Sequence, residues 1–323
     1  MHPSDVLFQD ARQPVTLPVC DHYAGSEKLM RKSLALQLAL GPVFDITFDC
    51  EDGAAAGDEL AHAQLVGQLI ASDENRFGRI GARVHDVDHP DFEQDVATIC
   101  ALAAERLAYL VIPKIHGSRQ LEQAAALISR HASAAGRPDL PVHVLIETHS
   151  ALREVWDIAA QPAVECLSFG IMDFVSAHYG AIPGEAMRSP AQFSHPLISR
   201  AKLEIAAACH ANGKVPSHNV CTEIRDGSVV ASDARLASKQ FGYQRMWSIH
   251  PDQIRHILAA FAPEASEIED AAAILRAASD KDWGPIQHKN TLHDRASYRY
   301  YWTVLQRARQ TGQALPKEAD GLL

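Results

Sequence analysis

VHVLIETHSALREVWDIAAQPAVECLSFGIMDF, residues 142–174, is the stretch that decides the fold. A short run of mostly apolar, β-branched residues, VHVLI, ends on Glu147, and one unit later CLSF runs through Gly170 to Asp173. Runs of this length and type predict buried strands, and the longer segment between them has room for a helix. A strand, a helix and a second strand in that order form a parallel pair. Both carboxylates then stand just past the C-terminal ends of neighbouring strands.

The same alternation extends in both directions. Runs at 15–19, 43–48, 79–84, 108–112, 142–146, 165–169, 214–217 and 243–249 predict eight strands, with amphipathic segments between them. Residues 91–107 are typical: Phe92, Val96, Ile99, Ala103 and Leu107 share one helical face, while Glu93, Asp95 and Glu105 lie elsewhere. His89-Pro90, His195-Pro196 and His250-Pro251 place Pro where a first helical turn tolerates its missing N–H. Ser26 and Ser118 read as N-caps. Eight β-then-α units predict a closed (β/α)8 TIM barrel with an outer ring of helices. The competing doubly wound open sheet lacks its supporting G-x-G-x-x-G turn or Walker-type loop here. The barrel is expected over residues 1–264, with a C-terminal helical extension over 265–323. In that extension Tyr298, Tyr300, Tyr301 and Trp302 cluster, as a packing helix, a lid or an oligomer arm would require.

The length of 323 residues suits one α/β barrel. A net charge of −10 and the lack of any basic block exclude a nucleic-acid surface, which needs clustered Lys and Arg. No apolar run approaches the ~18 residues of a membrane span. The opening MHPSDVLFQDARQ lacks the apolar centre of a signal peptide. Cys20, Cys50, Cys100, Cys166, Cys209 and Cys221 are scattered without a CxxC pair, as free thiols in a reducing compartment would be. The expectation is a cytoplasmic protein with no membrane or nucleic-acid partner.

The ionisable residues fall where barrel chemistry resides, because the loops after parallel strands converge on one rim. Asp49, Cys50, Glu51, Asp52 and Gly53 follow the second expected strand. Arg83 and His85 follow the third, Lys114 the fourth, Glu147 the fifth, Asp173 the sixth and His250 the eighth. Two close carboxylates repel unless they share a proton or a cation. Glu147 and Asp173 therefore point to a hard divalent ion such as Mg²⁺, or else to helix-capping and salt-bridged acids. Zinc would call for an HExxH motif or paired Cys, and neither is present. Arg83 cannot shed its charge and must meet an anion, either a substrate carboxylate or Glu51 or Asp52. Among the histidines, His62, His131, His210 and His256 are expected on helix surfaces. His116, His149, His178 and His218 are expected near the rim, and His250 as a helix cap.

These anchors carry a resemblance. The first helix with Lys32, FDCEDG in place of the usual D-L-E-D, ARV with Arg83 and IPK with Lys114 come in order. IET with Glu147, SFGIMDF with Asp173 and FGYQRMWSIHPDQI around His250 complete the set. Over residues 15–275 the chain resembles the citrate lyase β-subunit and malyl-CoA lyase superfamily, whose wider relatives include metal-dependent 2-oxo acid aldolases. The resemblance implies Mg²⁺ held by Glu147 and Asp173, with Glu147 also contacting substrate. It implies Arg83 on the carboxylate of the oxo-acid half, and Glu51 and Asp52 beside that pocket, orienting water or substrate. The implied reaction is retro-Claisen or aldol-type cleavage of a malyl- or citramalyl-type 3-hydroxy-dicarboxylyl CoA thioester, releasing a 2-oxo acid or glyoxylate. A metal-dependent aldolase on free 2-oxo acids and a catalytically silent ligand-binding subunit are the alternatives. Such proteins assemble as homo-trimers or hexamers, and in several a C-terminal segment of a neighbour closes the site. The chain departs from the family pattern at LPVCDHYAG after the first strand, at Ala177, His178 and Tyr179 after the metal Asp, and at Ser217, His218 and Asn219.

Overall fold

The computed structural model describes residues 3–8, 13–54 and 57–323. These form two compact units, one of Val15–Ala260 and one combining the described part of Met1–Pro14 with Phe261–Leu323.

In the first unit β1 (Cys20–Ala24), β2 (Asp45–Asp49), β3 (Ile80–Arg83), β4 (Leu107–Ile112), β5 (Val142–Ile146), β6 (Val164–Phe169), β7 (Val215–His218) and β8 (Arg245–Ser248) close a barrel in chain order. Every neighbouring pair is parallel, including β8 with β1. The expected TIM barrel is present. Most strands coincide with the expected runs to within a residue or two. The first does not: the expected run was 15–19, and β1 is Cys20–Ala24. Pro18 cannot donate to a ladder, which weakens VTLPV as a strand. CDHYA reads as polar, yet Asp21 and His22 are buried within it.

Asp21 is tolerated because the barrel interior holds a cation for it. Arg245 is fully buried, its Nη2 3.0 Å from Asp21 and its Nη1 paired with Asp45, whose other oxygen accepts from Arg79 Nε at 2.7 Å. Thr47 and Tyr109 hydroxyls donate to Asp21 at 2.8 and 3.1 Å, and the Tyr109 ring stacks on His143 at 3.7 Å. A buried charge is stable only when paired and hydrogen-bonded in this way. Tyr109 needs Gly81 beside it, since a Cβ at 81 would lie 2.1 Å from the ring. Gly81→Ala should therefore destabilise by about 1–3 kcal/mol through overpacking. An unchanged urea midpoint would show that the ring can move aside.

Helix starts follow local chemistry. Ser26 accepts from Leu29 N, and Pro196 and Pro251 open their helices. Two expectations are corrected. Ser118 is the first residue of the helix Ser118–Ala134 and not its cap, because its amide and hydroxyl donate to Glu154 at 2.9 and 3.0 Å. Pro90 lies in a turn ahead of the helix Phe92–Ala103, where Phe92 N donates to His89 O.

The second unit packs helices Ala265–Asp280 and Arg295–Gln310 with the short helix Pro3–Leu7 and an antiparallel hairpin, β9 (Ile286–His288) and β10 (Thr291–His293). Its core includes Leu7, Leu275, Trp283, Tyr298, Trp302 and Leu305. Tyr298 OH donates to Gly284 O at 2.8 Å and Trp302 Nε1 to Leu322 O at 3.2 Å, so these two aromatics serve packing within their own unit. All six cysteines are free and buried. Among the described residues no helix is long and apolar enough to cross a membrane.

Candidate active site

Glu147 follows directly on β5, and its side chain is turned inward at the rim with 3% exposure. One oxygen, Oε1, accepts from the Lys114 amide at 2.7 Å. Gly170, just past β6, makes room for the carboxylate: a Cβ there would lie 2.1 Å from Glu147 Oε2 and 2.5 Å from its Cβ. Asp173 lies in the first turn of the helix Ile171–Ser176, where an acid is favoured by the helix dipole. Burial, and after it the nearby Asp173 charge, push the Glu147 carboxyl up to about 8. Among the described residues neither carboxylate is ion-paired with Lys or Arg. A buried acid near a second acid, with only a neutral amide as donor, is relieved by a shared proton or by a cation.

The donor set favours a hard ion. Among the described residues no group of three or more His, Cys, Asp or Glu is arranged to hold a metal. Two carboxylates alone fit an ion such as Mg²⁺, which takes one or two of them and completes its shell with water and substrate oxygens. They do not suit a closed structural zinc site.

Arg83 ends β3 directly beside Asp49, which ends β2 in register with it. Its Nε and Nη2 donate to the two oxygens of Asp49 at 2.7 and 2.6 Å. Nη1 lies 2.9 Å from Glu51 Oε2 as an ion pair without hydrogen-bond alignment. The guanidinium also stands 5.5 Å above the Tyr23 ring. Burial works against its charge, but Asp49 and Glu51 prevail and hold Arg83 firmly protonated. The sequence places Asp49 at the rim within FDCEDG but offers only Glu51 and Asp52 as partners for Arg83. Asp49 also accepts from the Glu51 and Gly53 amides at 3.0 and 2.8 Å, and so shapes the whole loop. Its signal was an acid on the last position of a buried strand.

Lys114 completes the cluster. Its Nζ donates to Glu51 Oε1, and to Asp52 at 3.2 and 3.3 Å. Against partial burial, Glu51 and Asp52 raise its pKa. Arg83, Glu51, Asp52 and Lys114 thus form one chain of alternating charge, and Lys114 joins it to Glu147. A cavity of about 300 Å³ opens beside them, lined by Glu51, Asp52, Lys114, His62 and His85 among others.

The rim histidines divide. His149 and His178 meet edge to face at 4.3 Å, each bonded to a backbone carbonyl. His250 Nδ1 accepts from Asp252 N at 3.3 Å and caps its helix. His218, expected near the rim, is fully buried and faces the helix Pro196–Ala211, its Nε2 2.6 Å from Lys202 Nζ. As the last residue of β7 it points outward from the barrel.

Residues 31–251 match the family model described as HpcH/HpaI aldolase/citrate lyase. The crystal structure of a citrate lyase from Burkholderia xenovorans LB400 is 58% identical, covers 100% of both chains and superposes with a TM-score of 0.86. An L-malyl-CoA/beta-methylmalyl-CoA lyase of Cereibacter sphaeroides is 27% identical over 86% of this chain and 91% of that enzyme. The CitE protein of Mycobacterium tuberculosis, solved in complex with magnesium, acetoacetate and coenzyme A, is 20% identical over 91% of this chain and 99% of its own. Its TM-score of 0.68 shows a shared fold. The chain belongs to the HpcH/HpaI aldolase/citrate lyase family and is a carbon–carbon lyase.

Proposed function

We propose that this lyase uses Mg²⁺, held by Glu147 and Asp173, to cleave a malyl- or citramalyl-type CoA thioester into a 2-oxo acid or glyoxylate and a shorter acyl thioester. The observation that carries this is the buried Glu147 carboxyl, set beside Asp173 without an ion-pair partner. The malyl-CoA lyase relative supports the substrate class.

A bound Mg²⁺ would supply Lewis-acid polarisation of the oxygen that becomes the oxo group. The protein supplies the rest. Arg83, held rigid by Asp49 on one edge and ion-paired with Glu51 at Nη1, would offer its remaining N–H groups to a substrate carboxylate. Glu51 and Asp52 are the acids beside that pocket and are proposed to take the substrate hydroxyl proton. The electron pair of the breaking C–C bond passes to the carbon next to the thioester, which then takes up a proton. Barrel as catalytic domain, C-terminal unit as lid or arm, and assembly into trimers or hexamers belong to the same proposal.

The test is a panel of malyl-, β-methylmalyl- and citramalyl-CoA with Mg²⁺, read as oxo-acid release. No oxo acid from any of them overturns the proposal. Free CoA without oxo acid would indicate thioester hydrolysis, the activity named for a (3S)-malyl-CoA thioesterase of Cereibacter sphaeroides at 27% identity. Oxo-acid exchange with pyruvate and an aldehyde would indicate the free-acid aldolase instead.

A pH dependence follows from Glu147. Its folded pKa, about 8, lies above the ordinary 4.5. In metal-free protein this group therefore stabilises the fold fully below about pH 4.5, and that contribution is lost as pH rises through about 8. With EDTA present, the melting temperature should fall more steeply across this window in the wild type than in Glu147→Gln. Parallel slopes would show that Glu147 holds no such proton.

Gly170 gives a second expectation. Gly170→Ala should displace the carboxylate and weaken Mg²⁺ binding by about 10–100-fold, the scale on which support of a metal ligand matters. Calorimetry showing unchanged affinity would contradict it.

A further inference from the structure

Lys114 sits in the left-handed region, with φ 50°. A non-glycine residue there is uncommon, and such strain persists only where the surroundings hold it in place. The two groups that Lys114 engages lie on different parts of the rim. Its amide donates to Glu147 Oε1 at 2.7 Å, and its ammonium donates to Glu51 and Asp52. Among the described residues nothing else bonds to both Glu147 and the acids beside Arg83.

The two links differ in character. The amide is neutral, so it satisfies one lone pair of Glu147 without cancelling the negative charge that a cation requires. The ammonium is charged, and it grips Glu51 Oε1 while Arg83 Nη1 stands 2.9 Å from Oε2. Glu51 is thereby held between two cations, and it transmits the position of Lys114 to Arg83.

We infer that Lys114 is a positioning residue with two separable actions, its left-handed backbone fixing Glu147 for the metal ion and its ammonium fixing Glu51 and Arg83 for the substrate carboxylate. This rests on the Mg²⁺-dependent lyase proposal above. Neither action requires Lys114 to touch the reacting atoms.

The backbone action is tested by substitutions that all lack the ammonium but differ in how easily they hold a positive φ. Lys114→Gly adopts it without strain, whereas Lys114→Val is β-branched and resists it. Calorimetric titration with Mg²⁺ should give Lys114→Gly an affinity within about twofold of wild type, and Lys114→Val one about tenfold weaker or more. If the Val variant fails to fold, Lys114→Ala against Lys114→Gly provides the same contrast in milder form. The ammonium action is tested with glyoxylate as the probe in the presence of saturating Mg²⁺. Its affinity should fall about tenfold in Lys114→Gly and recover in Lys114→Arg, which restores the charge.

Equal Mg²⁺ affinity in the Gly variant and the folded β-branched or Ala variant overturns the backbone action. Undiminished glyoxylate binding in Lys114→Gly overturns the other. Wild-type protein that binds no Mg²⁺ would bring down the lyase proposal itself. Wild-type binding that is lost in Glu147→Ala, with the Lys114 variants alike, would bring down this inference alone.

Discussion

With Mg²⁺ held as proposed, Glu147→Ala should lose turnover by about 10³-fold or more, because the several kcal/mol that a bound ion would supply to the developing charge disappear with its ligand. The same variant should keep or gain thermal stability in EDTA. Burial and the Asp173 charge oppose the ionised Glu147, so removing the carboxyl relieves a cost to the metal-free fold. That opposite movement is diagnostic: a carboxylate with a purely structural role would lose stability and activity together. The measurements are steady-state cleavage of the best thioester and melting temperature with and without Mg²⁺. Full turnover in Glu147→Ala would falsify the metal assignment.

The second large effect belongs to stability. Arg245→Met should destabilise the barrel by about 3–5 kcal/mol, since it strands buried acids after removing their cation. Asp21 would be left with only the Thr47 and Tyr109 hydroxyls, and Asp45 with Arg79 alone. Adding Asp21→Asn should return part of the loss, because the unpaired charge then goes too. Urea denaturation of the single and double variants reads both numbers. A single variant as stable as wild type would mean that water already screens these acids, contrary to their full burial.

These two residues also mark how far the sequence could be read. Glu147 and Asp173 were legible because each ends an apolar run, and a period-two or buried-strand pattern is a property of a few consecutive residues. Arg245 lies inside such a run, where no neighbouring residue marks it out. β1 escapes the local pattern for the same reason, since the buried Asp21 in CDHYA meets its cation in Arg245, far away in the chain. No local pattern announces a compensating charge supplied by the opposite end of the fold.

At the rim the sequence narrowed Arg83 to a substrate carboxylate or to Glu51 or Asp52. The register of β2 against β3 sets Asp49 level with it, and Asp49 takes two of its donors. Lys114 was visible as a rim residue, but neither its positive φ nor its double engagement could be seen, because both arise when separate loops converge. His218 shows the converse: one place in the strand decides whether a side chain faces the mouth or the helices, and that parity is set by the closed sheet.

The sequence by itself determined the alternation of strand and helix, the closed barrel it implies, and the two carboxylates that follow neighbouring strands. Hydrophobic periodicity and caps act between near neighbours, so they survive in one dimension. Only the tertiary structure decided which charges meet, which acid is left without an ion-pair partner, and which residue bonds both to Glu147 and to the acids beside the arginine. Electrostatic pairing depends on distance and burial, and both come into being when strands far apart in the chain are brought into register.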